Sequence, residues 1–455
     1  MDINQLVVLP ESKTLEFKTN LSPLTSIVKT IVAFANTSGG TLVIGRSPEG
    51  VIVGVEDVFE EEERLANVIA ESICPKIMPE IEIATVQGRN LLIVKVQYWK
   101  GPFYVAKQGV PKGVFVRLGS TSRQAGPELV EELQRVSKHT CFDEQPLLEA
   151  TQDALDTSRI QQFFAEIQKE YTEEKLFSLG VLKHSSAGVV PSVGGMIFFG
   201  KDAFRRKYFP DARVRCARFL GVDKSHILDQ SDIEGTILEA IDQVAKFIAR
   251  NTRLSSEISQ VKREDIPEYP SVAIREVLIN ALVHADYALS GSQILVSIFD
   301  DRLEIQNPGM LPFGFTLEDL KSGVSRVRNR VLVRLFKQAH LMEEWGSGYS
   351  RVMAVCREAG CRDPLWHELA TAVRVVLYPR GARVPQKSEG LSERQQALLV
   401  LFKEGGSFSF SQIAEKMSFS ISERTLRYDL AHLKQLGLIA STGKARSRVW
   451  KLVGG

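Results

Sequence analysis

The 455-residue sequence predicts an α/β multidomain chain. Its length corresponds to about three domains at ~150 residues each. Helix-period and strand-period runs alternate as far as Tyr378, and a basic tail then reads as helices followed by a hairpin. Apolar residues make up 44% and charged residues 25%, which excludes collagen-like, low-complexity and wholly disordered chains. No apolar run reaches the roughly 18 residues needed to span a bilayer. The opening residues lack the basic start and apolar stretch of a secretory signal. Five scattered cysteines (Cys74, Cys141, Cys216, Cys356, Cys361) contain no C-x-x-C. The expectation is a reducing, cytoplasmic compartment rather than a disulfide framework or a zinc cluster. With 57 basic against 55 acidic residues the net charge is only +2, so a nucleic-acid surface must be local.

The pattern divides the chain at 1–135, 145–268, 269–378, a linker at 379–390, and 391–455. The linker, Pro379-Arg-Gly-Ala-Arg-Val-Pro-Gln-Lys-Ser-Glu-Gly390, is polar and aperiodic. In the first segment a helix is expected over 27–36, with Ile27, Val28, Ile31, Val32 and Ala35 on one face. Gly39-Gly40 is its expected stop. Strands are expected over 41–44, 91–96 and 113–117. The 145–268 segment predicts helices over 158–170 and 234–251 and strands over 196–199 and 214–220. Gly195-Met-Ile-Phe-Phe-Gly-Lys201 fits the start of a P-loop, but Asp202 stands where Ser or Thr is needed. Its four intervening residues are apolar, so a buried strand is the expectation there.

From Val272 to Tyr287 an apolar helical stripe (Ile274, Val277, Leu278, Ala281, Leu282) runs beside Glu276, Asn280 and His284. A carboxylate and a carboxamide one turn apart suit magnesium chemistry. The amide oxygen is a hard ligand and the carboxylate can polarise a water. Strands are expected over 293–299 and 302–306, leading into Asn307-Pro-Gly-Met-Leu-Pro312. Later comes Trp345-Gly-Ser-Gly-Tyr349, a glycine turn opening a helix, which presents backbone N–H groups to phosphate.

This ordered set resembles the GHKL-type ATP-binding fold of histidine kinases and gyrase. The branch it is similar to is the divergent one found in transcriptional regulators and RecG-like proteins. The resemblance is carried by Tyr269-Pro270, Arg275-Glu276, Asn280-Ala281 and His284-Ala-Asp286-Tyr287, and covers 269–378. It implies a GHKL-like α/β sandwich that binds ATP and Mg2+. By that resemblance Glu276 activates water, Asn280 holds magnesium, the turn from Asn307 to Gly309 faces adenine, and Gly346 and Gly348 belong to the phosphate lid. The family's acidic adenine contact is Asn307 here, and Arg328-Asn329-Arg330 lacks the proline usual in this branch.

In Glu11-Ser-Lys-Thr-Leu-Glu-Phe-Lys18, Glu16 and Lys18 share one strand face. An E-x-K pair on an edge strand is either a solvated face or a metal-nuclease feature, in which carboxylates hold divalent ions. This stretch also resembles the α+β AlbA-like domain of the Schlafen family. The match runs through Ala33-Phe-Ala-Asn-Thr-Ser-Gly-Gly-Thr-Leu-Val-Ile-Gly45 to Val116-Arg-Leu-Gly-Ser-Thr-Ser122. The family binds nucleic acid, and some members cleave RNA with two glutamates and an aspartate. The resemblance places Glu11 and Glu16 as metal ligands, whereas the third carboxylate is replaced by Gly45-Arg46-Ser47-Pro48. Lys13, Lys18, Arg46, Arg117 and Arg123 are expected phosphate contacts.

Residues 391–455 hold ten basic and five acidic residues, a net +5. The pattern is helix (393–404), short helix (411–417), helix (422–435) and a basic-tipped hairpin, the organisation of a winged helix-turn-helix. There the third helix enters the major groove. Arg424, Thr425, Arg427 and Tyr428 are expected to face DNA, with Lys444, Arg446 and Arg448 on phosphate. Leu426, Leu430, Leu433 and Leu436 are expected in the core. The expected function is a DNA-binding, ATP-binding prokaryotic transcription regulator, acting as a homo-oligomer on DNA or RNA. Two alternatives stand beside it: a metal-dependent Schlafen-like nuclease in defence, and a degenerate scaffold that binds no ligand.

Overall fold

The computed structural model describes residues 3–47, 50–186, 188–258, 263–342, 346–382, 392–403, 407–416, 423–435, 438–442 and 449–452. The chain forms two compact units, one ending at Ala382 and the other beginning at Arg383. Among the described residues no helix is long and apolar enough to cross a membrane.

The first unit begins with a four-stranded sheet in the order Leu15–Lys18, Gly40–Ile44, Arg89–Val96, Glu80–Val86. The first pair is parallel, with Leu15 opposite Thr41, and the others are antiparallel. A parallel pair needs a crossover, which is the helix Leu24–Thr37. Its Ile27, Val28, Ile31 and Phe34 pack on Leu42, Ile44, Leu92 and Val94 of the sheet. Asn36, near the helix end, is wholly buried. Its Nδ2 donates to the Phe103 and Phe115 carbonyls at 2.8 and 3.0 Å, and its Oδ1 accepts from the Phe103 N–H at 2.8 Å. One side chain thus ties the crossover helix to two later segments.

A six-stranded sheet follows, in the order Ile227–Ile233, Val214–Phe219, Ile294–Ile298, Leu303–Pro308, Ala372–Leu377, Leu365–Glu368. It runs across the expected boundary at 268/269, because Val214–Phe219 pairs in parallel with Ile294–Ile298. The 145–268 segment therefore contributes two strands to the sheet and is not merely a connector. The helices Ile237–Asn251, Ser271–His284 and Gly348–Glu358 join this sheet in one core containing Cys216, Val244, Phe247, Leu282, Val296 and Ile305.

The run expected as a strand over 196–199 is instead part of the helix Val193–Phe199, with every residue buried. Ser192 caps it, its side chain accepting from the Gly195 N–H at 2.9 Å. A short segment buried on all sides has no amphipathic period, so periodicity could not separate the two states. Phe198 and Phe199 meet Phe163 edge to face at 5.5 and 5.3 Å. Of the P-loop-like string, Gly195 therefore lies inside a core helix, and Gly200 and Lys201 follow its end.

The second unit contains the helices Glu393–Lys403, Phe410–Lys416 and Glu423–Gln435. Its three strands lie in the order Phe408–Ser409, Val449–Leu452, Ile439–Thr442. Leu398, Phe402, Ile413, Leu426, Leu430, Leu433, Ile439 and Trp450 form its core. Asp429, also buried, accepts from Gln395 Nε2 at 2.8 Å and Arg394 Nε at 3.1 Å. Leu436, expected in this core, lies outside the described residues.

Asn36→Ala strands three buried backbone groups at once. It should lower stability by about 3 kcal/mol in urea denaturation, the cost of unsatisfied buried polar groups. A loss under about 1 kcal/mol would contradict the role given to Asn36.

Candidate functional site

The helix Ser271–His284 packs into the core on most of its circumference, with Ile274, Leu278 and Leu282 buried. Glu276, Val277, Asn280, Ala281 and His284 instead line a cavity. Glu276 and Asn280 are one turn apart, and Asn280 Nδ2 donates to the Glu276 carbonyl at 2.9 Å and to its Oε1 at 3.1 Å. The amide nitrogen is thereby spent on the carboxylate, and Oδ1 is the remaining polar atom of that side chain.

The strand Leu303–Pro308 supplies the next wall. Leu303, Ile305 and Asn307 alternate onto one face by the two-residue period. Glu304 lies on the other face, held by Arg302 at 2.7 Å and Arg374 at 3.5 Å. The apolar face thus ends in a carboxamide, and Asn307 lines the cavity with Ile305, Val373 and Val375. Asn307 is buried, its Nδ2 donating to the Pro308 carbonyl at 3.3 Å. Burial, reinforced by the Arg328 charge, pushes the His284 imidazole down to about 4. His284 is therefore neutral at pH 7.

Gly346, Ser347, Gly348 and Tyr349 close the opposite side. A Cβ on Gly348 would stand 2.5 Å from Glu276 Oε1, so a larger residue there would displace the Glu276 carboxylate. Gly348 begins the helix Gly348–Glu358, whose first-turn N–H groups have no partner within the helix. Such an end attracts anions. Glu276, Asn280, Asn307, Gly346 and Gly348 thus line one cavity, while Trp345 lies outside the described residues.

Gly309 does not line it. Its φ is +92°, and a Cβ there would stand 2.6 Å from Asp286 Cβ and 3.4 Å from Arg328 Cζ. The expectation that this glycine faces adenine is corrected: it faces a salt-bridge knot. In that knot Arg328 Nη1 donates to Glu132 Oε1 at 2.6 Å and Asp286 Oδ2 at 3.0 Å, and Nη2 donates to the Met310 carbonyl at 2.6 Å. The buried Asn329 beside it donates to the Val283 and Ala285 carbonyls at 2.8 and 2.7 Å, satisfying the end of the site helix. Asp143 accepts from the N–H groups of Arg330, Val331 and Leu332 at 3.1, 2.7 and 3.0 Å, capping the helix Arg330–Gln338. Burial pushes its carboxyl up to about 7 against the pull of those donors. The roles of Arg328, Asn329 and Asp143 are not legible in the sequence. The cap on Arg330–Gln338 comes from Asp143, and that on the end of Ser271–His284 from Asn329, each far away in the chain, which no local spacing reveals.

The N-terminal carboxylates are arranged differently from the expectation. Glu16 is buried and pairs with Arg117 and with Lys18 (2.5 Å), while Thr30 Oγ1 donates to it at 3.1 Å. Glu11 Oε1 accepts from the Phe17 N–H at 3.0 Å. Two cations thus occupy Glu16, a carboxylate expected to hold metal. Among the described residues no group of three or more His, Cys, Asp or Glu side chains could hold a metal ion. The Arg117 side chain is fully buried, donating to Ser122 Oγ at 3.0 Å and the Ser12 carbonyl at 2.8 Å. It anchors Glu16 and presents no surface to phosphate, contrary to the expectation. Lys13 pairs with Glu368 at 2.6 Å, Arg46 lies 3.7 Å from the Phe17 ring, and Arg123 is exposed.

In the second unit Tyr428 is 70% exposed on the helix Glu423–Gln435. Arg427 is exposed with its guanidinium 4.6 Å from the Phe410 ring, and Thr425 is half-buried. The Arg424 side chain, and Lys444, Arg446 and Arg448, lie outside the described residues.

Two outcomes follow from the buried charges. Arg328→Met leaves Glu132 and Asp286 buried without a cation and should cost about 3–5 kcal/mol in urea denaturation. The His284 pKa is depressed from 6.5 to about 4 in the folded protein. The unfolded chain therefore takes up this proton first, and the associated stability is full above pH 6.5 and falls as pH drops toward 4. His284→Gln should show a smaller difference between urea midpoints at pH 7 and pH 5 than wild type. Equal differences would contradict a buried neutral imidazole.

Residues 11–126 match the family model described as Schlafen, AlbA_2. Residues 291–377 match the model described as "Putative ATP-dependent DNA helicase recG C-terminal". The second match includes Asn307, Gly309, Gly346 and Gly348 and begins after the helix bearing Glu276 and Asn280. No curated protein matches the chain. Among solved structures, a crystal structure of a protein from Corynebacterium diphtheriae is 20% identical, covering 99% of this chain and 96% of that one with a TM-score of 0.44. A solution structure from Nitrosomonas europaea, of the N-terminal domain of a "Putative ATP-dependent DNA Helicase RecG-related Protein", is 28% identical. It covers 27% of this chain and 90% of that one, with a TM-score of 0.22. Residues 11–126 are thus similar to the Schlafen AlbA_2 family and residues 291–377 to the RecG C-terminal HATPase_c_4 family.

Proposed function

We propose that this protein is a nucleic-acid-binding regulator whose central cavity takes ATP with magnesium. The observation that carries the reading is the convergence of Glu276, Asn280, Asn307, Gly346 and Gly348 on one cavity from segments distant in sequence. The residues fit the ligand chemically. Asn307 and neutral His284 offer hydrogen-bonding groups beside the apolar side chains of Ile305, Met310 and Val375, as a purine requires. The N–H groups opening the Gly348–Glu358 helix suit phosphates. Asn280 Oδ1 is the protein ligand for magnesium, which when bound neutralises phosphate charge. Glu276, accepting from Asn280 Nδ2, is placed to hold and polarise a water.

The second unit is proposed to be a winged helix-turn-helix that binds DNA. Its order of helices and strands and its net charge of +5 over 391–455 support this reading. Leu426, Leu430 and Leu433 are spent on the core, which leaves Thr425, Arg427 and Tyr428 on other sides of the helix Glu423–Gln435. Arg424 and the hairpin residues Lys444, Arg446 and Arg448 complete the proposed contact set. The Schlafen AlbA_2 domain is proposed as a further nucleic-acid contact through exposed Arg123. It is not proposed as a nuclease, since Arg117 and Lys18 already neutralise Glu16.

Calorimetric titration with ATP and magnesium tests the central reading. Wild type should bind, Asn280→Ala should bind at least about tenfold more weakly, about 1.4 kcal/mol or more, and Glu276→Gln should retain binding while losing any turnover. Equal affinity in wild type and Asn280→Ala would contradict it. In electrophoretic shifts with duplex DNA, affinity should fall steeply with salt, and an Arg427→Ala, Tyr428→Ala double variant should shift less DNA. A flat salt response would contradict phosphate-driven binding.

A further inference from the structure

A second cavity lies on the other side of Pro312 and Arg326, which line both cavities. Basic side chains dominate its wall: Lys100, Arg135, His139, Arg326, Arg328 and Arg330. Only two carboxylates, Glu132 and Asp286, share it, and both are taken by Arg328 at 2.6 and 3.0 Å. Two other cations have partners of their own: Arg330 reaches Glu144 at 3.3 Å and the His139 carbonyl at 2.7 Å, and Arg135 reaches Glu131 at 3.6 Å and lies 5.4 Å from the Phe142 ring. Lys100 and Arg326 form no ion pair among the described residues. The Lys100 Nζ lies 3.1 Å from His139 Nδ1, and as an ammonium it can only donate to that nitrogen. Arg326 donates to the Phe313 carbonyl and lies 5.3 Å from the Tyr98 ring.

Cations gathered around a concavity repel one another and lose hydration, so the arrangement is favourable when an anion completes it. Guanidinium forks with an ammonium match the several oxygens of a phosphate better than a single carboxylate. We propose that this second cavity is a binding site for a phosphate-bearing ligand, separate from the ATP cavity. Lys100 and Arg135 contact the phosphate from the N-terminal side. Arg326 contacts it from the ATPase-like side, and Arg328 holds the wall in shape. Two sources share this chemistry: free phosphate, and the phosphorylated end of a nucleic-acid strand. The site stands whether or not ATP occupies the first cavity.

The test is calorimetry on the full chain with inorganic phosphate, a 5′-phosphorylated trinucleotide and its 5′-hydroxyl counterpart. Wild type should bind both phosphate probes, and the 5′-hydroxyl form at least tenfold more weakly than its phosphorylated counterpart. A Lys100→Gln, Arg135→Gln variant should lose at least tenfold in affinity, while Asn280→Ala, altered only in the first cavity, should bind them as wild type does. Tighter binding of the phosphorylated trinucleotide than of inorganic phosphate identifies a strand end as the source, and equal binding identifies free phosphate. The proposal is overturned if neither phosphate probe binds, or if Asn280→Ala loses them while the double variant does not. Should the double variant melt well below wild type, exposed Lys100→Gln alone decides, with a severalfold loss expected and no loss overturning the site. A parallel ATP titration of the same variants keeps the sites apart: a loss confined to Asn280→Ala reports on the first cavity, and a loss confined to the Lys100→Gln, Arg135→Gln variant reports on the second.

Discussion

The arrangement depends on the Arg328 side chain. It joins three segments that share no local sequence: the helix bearing Glu132, the turn at Asp286 after the site helix, and the Met310 carbonyl on the cavity wall. Burial raises the Glu132 carboxyl, and the Arg328 charge works against that rise. Such a buried network adds little net stability over an apolar core, but breaking it leaves unpaired charge. Its value is positional. It fixes the end of the Ser271–His284 helix, and so fixes where Glu276 and Asn280 stand.

The segment running on from Gly309 faces two ways. Met310 and Phe313 are buried with Val114, Val116 and Leu133 of the N-terminal region, while Met310, Leu311, Pro312 and Phe315 line the first cavity. Glu368 reinforces the join, pairing with Lys13 at 2.6 Å and accepting from the Leu311 N–H at 3.1 Å. The wall of the proposed nucleotide cavity is therefore also part of the N-terminal region's packing. A ligand there acts on the N-terminal region only if it favours one arrangement of this shared segment over another. Close packing makes such segments switch between discrete states, since small voids are costly.

What was legible in the sequence follows the range of each interaction. The amphipathic spacing of Glu276 and Asn280, and the two-residue period that ends at Asn307, are local, and both put their residues on the cavity. The Val193–Phe199 helix was misread because it is apolar on every side and rich in aromatics, which a strand would also be. Arg117 looked like a surface cation, yet its partner Glu16 lies 101 positions away. Gly309 was expected to face adenine, and its neighbours Asp286 and Arg328 become visible only in three dimensions. The sheet's reach into 214–233 was hidden for the same reason, since parallel pairing joins strands distant in sequence.

The most direct test of the central claim is a crystal structure of the full chain with a non-hydrolysable ATP analogue and magnesium. Nucleotide density is expected in the first cavity, with the purine toward Asn307, the phosphates toward the start of the Gly348–Glu358 helix, and the metal beside Asn280. A saturated crystal with that cavity empty, or with the nucleotide bound elsewhere, would contradict it.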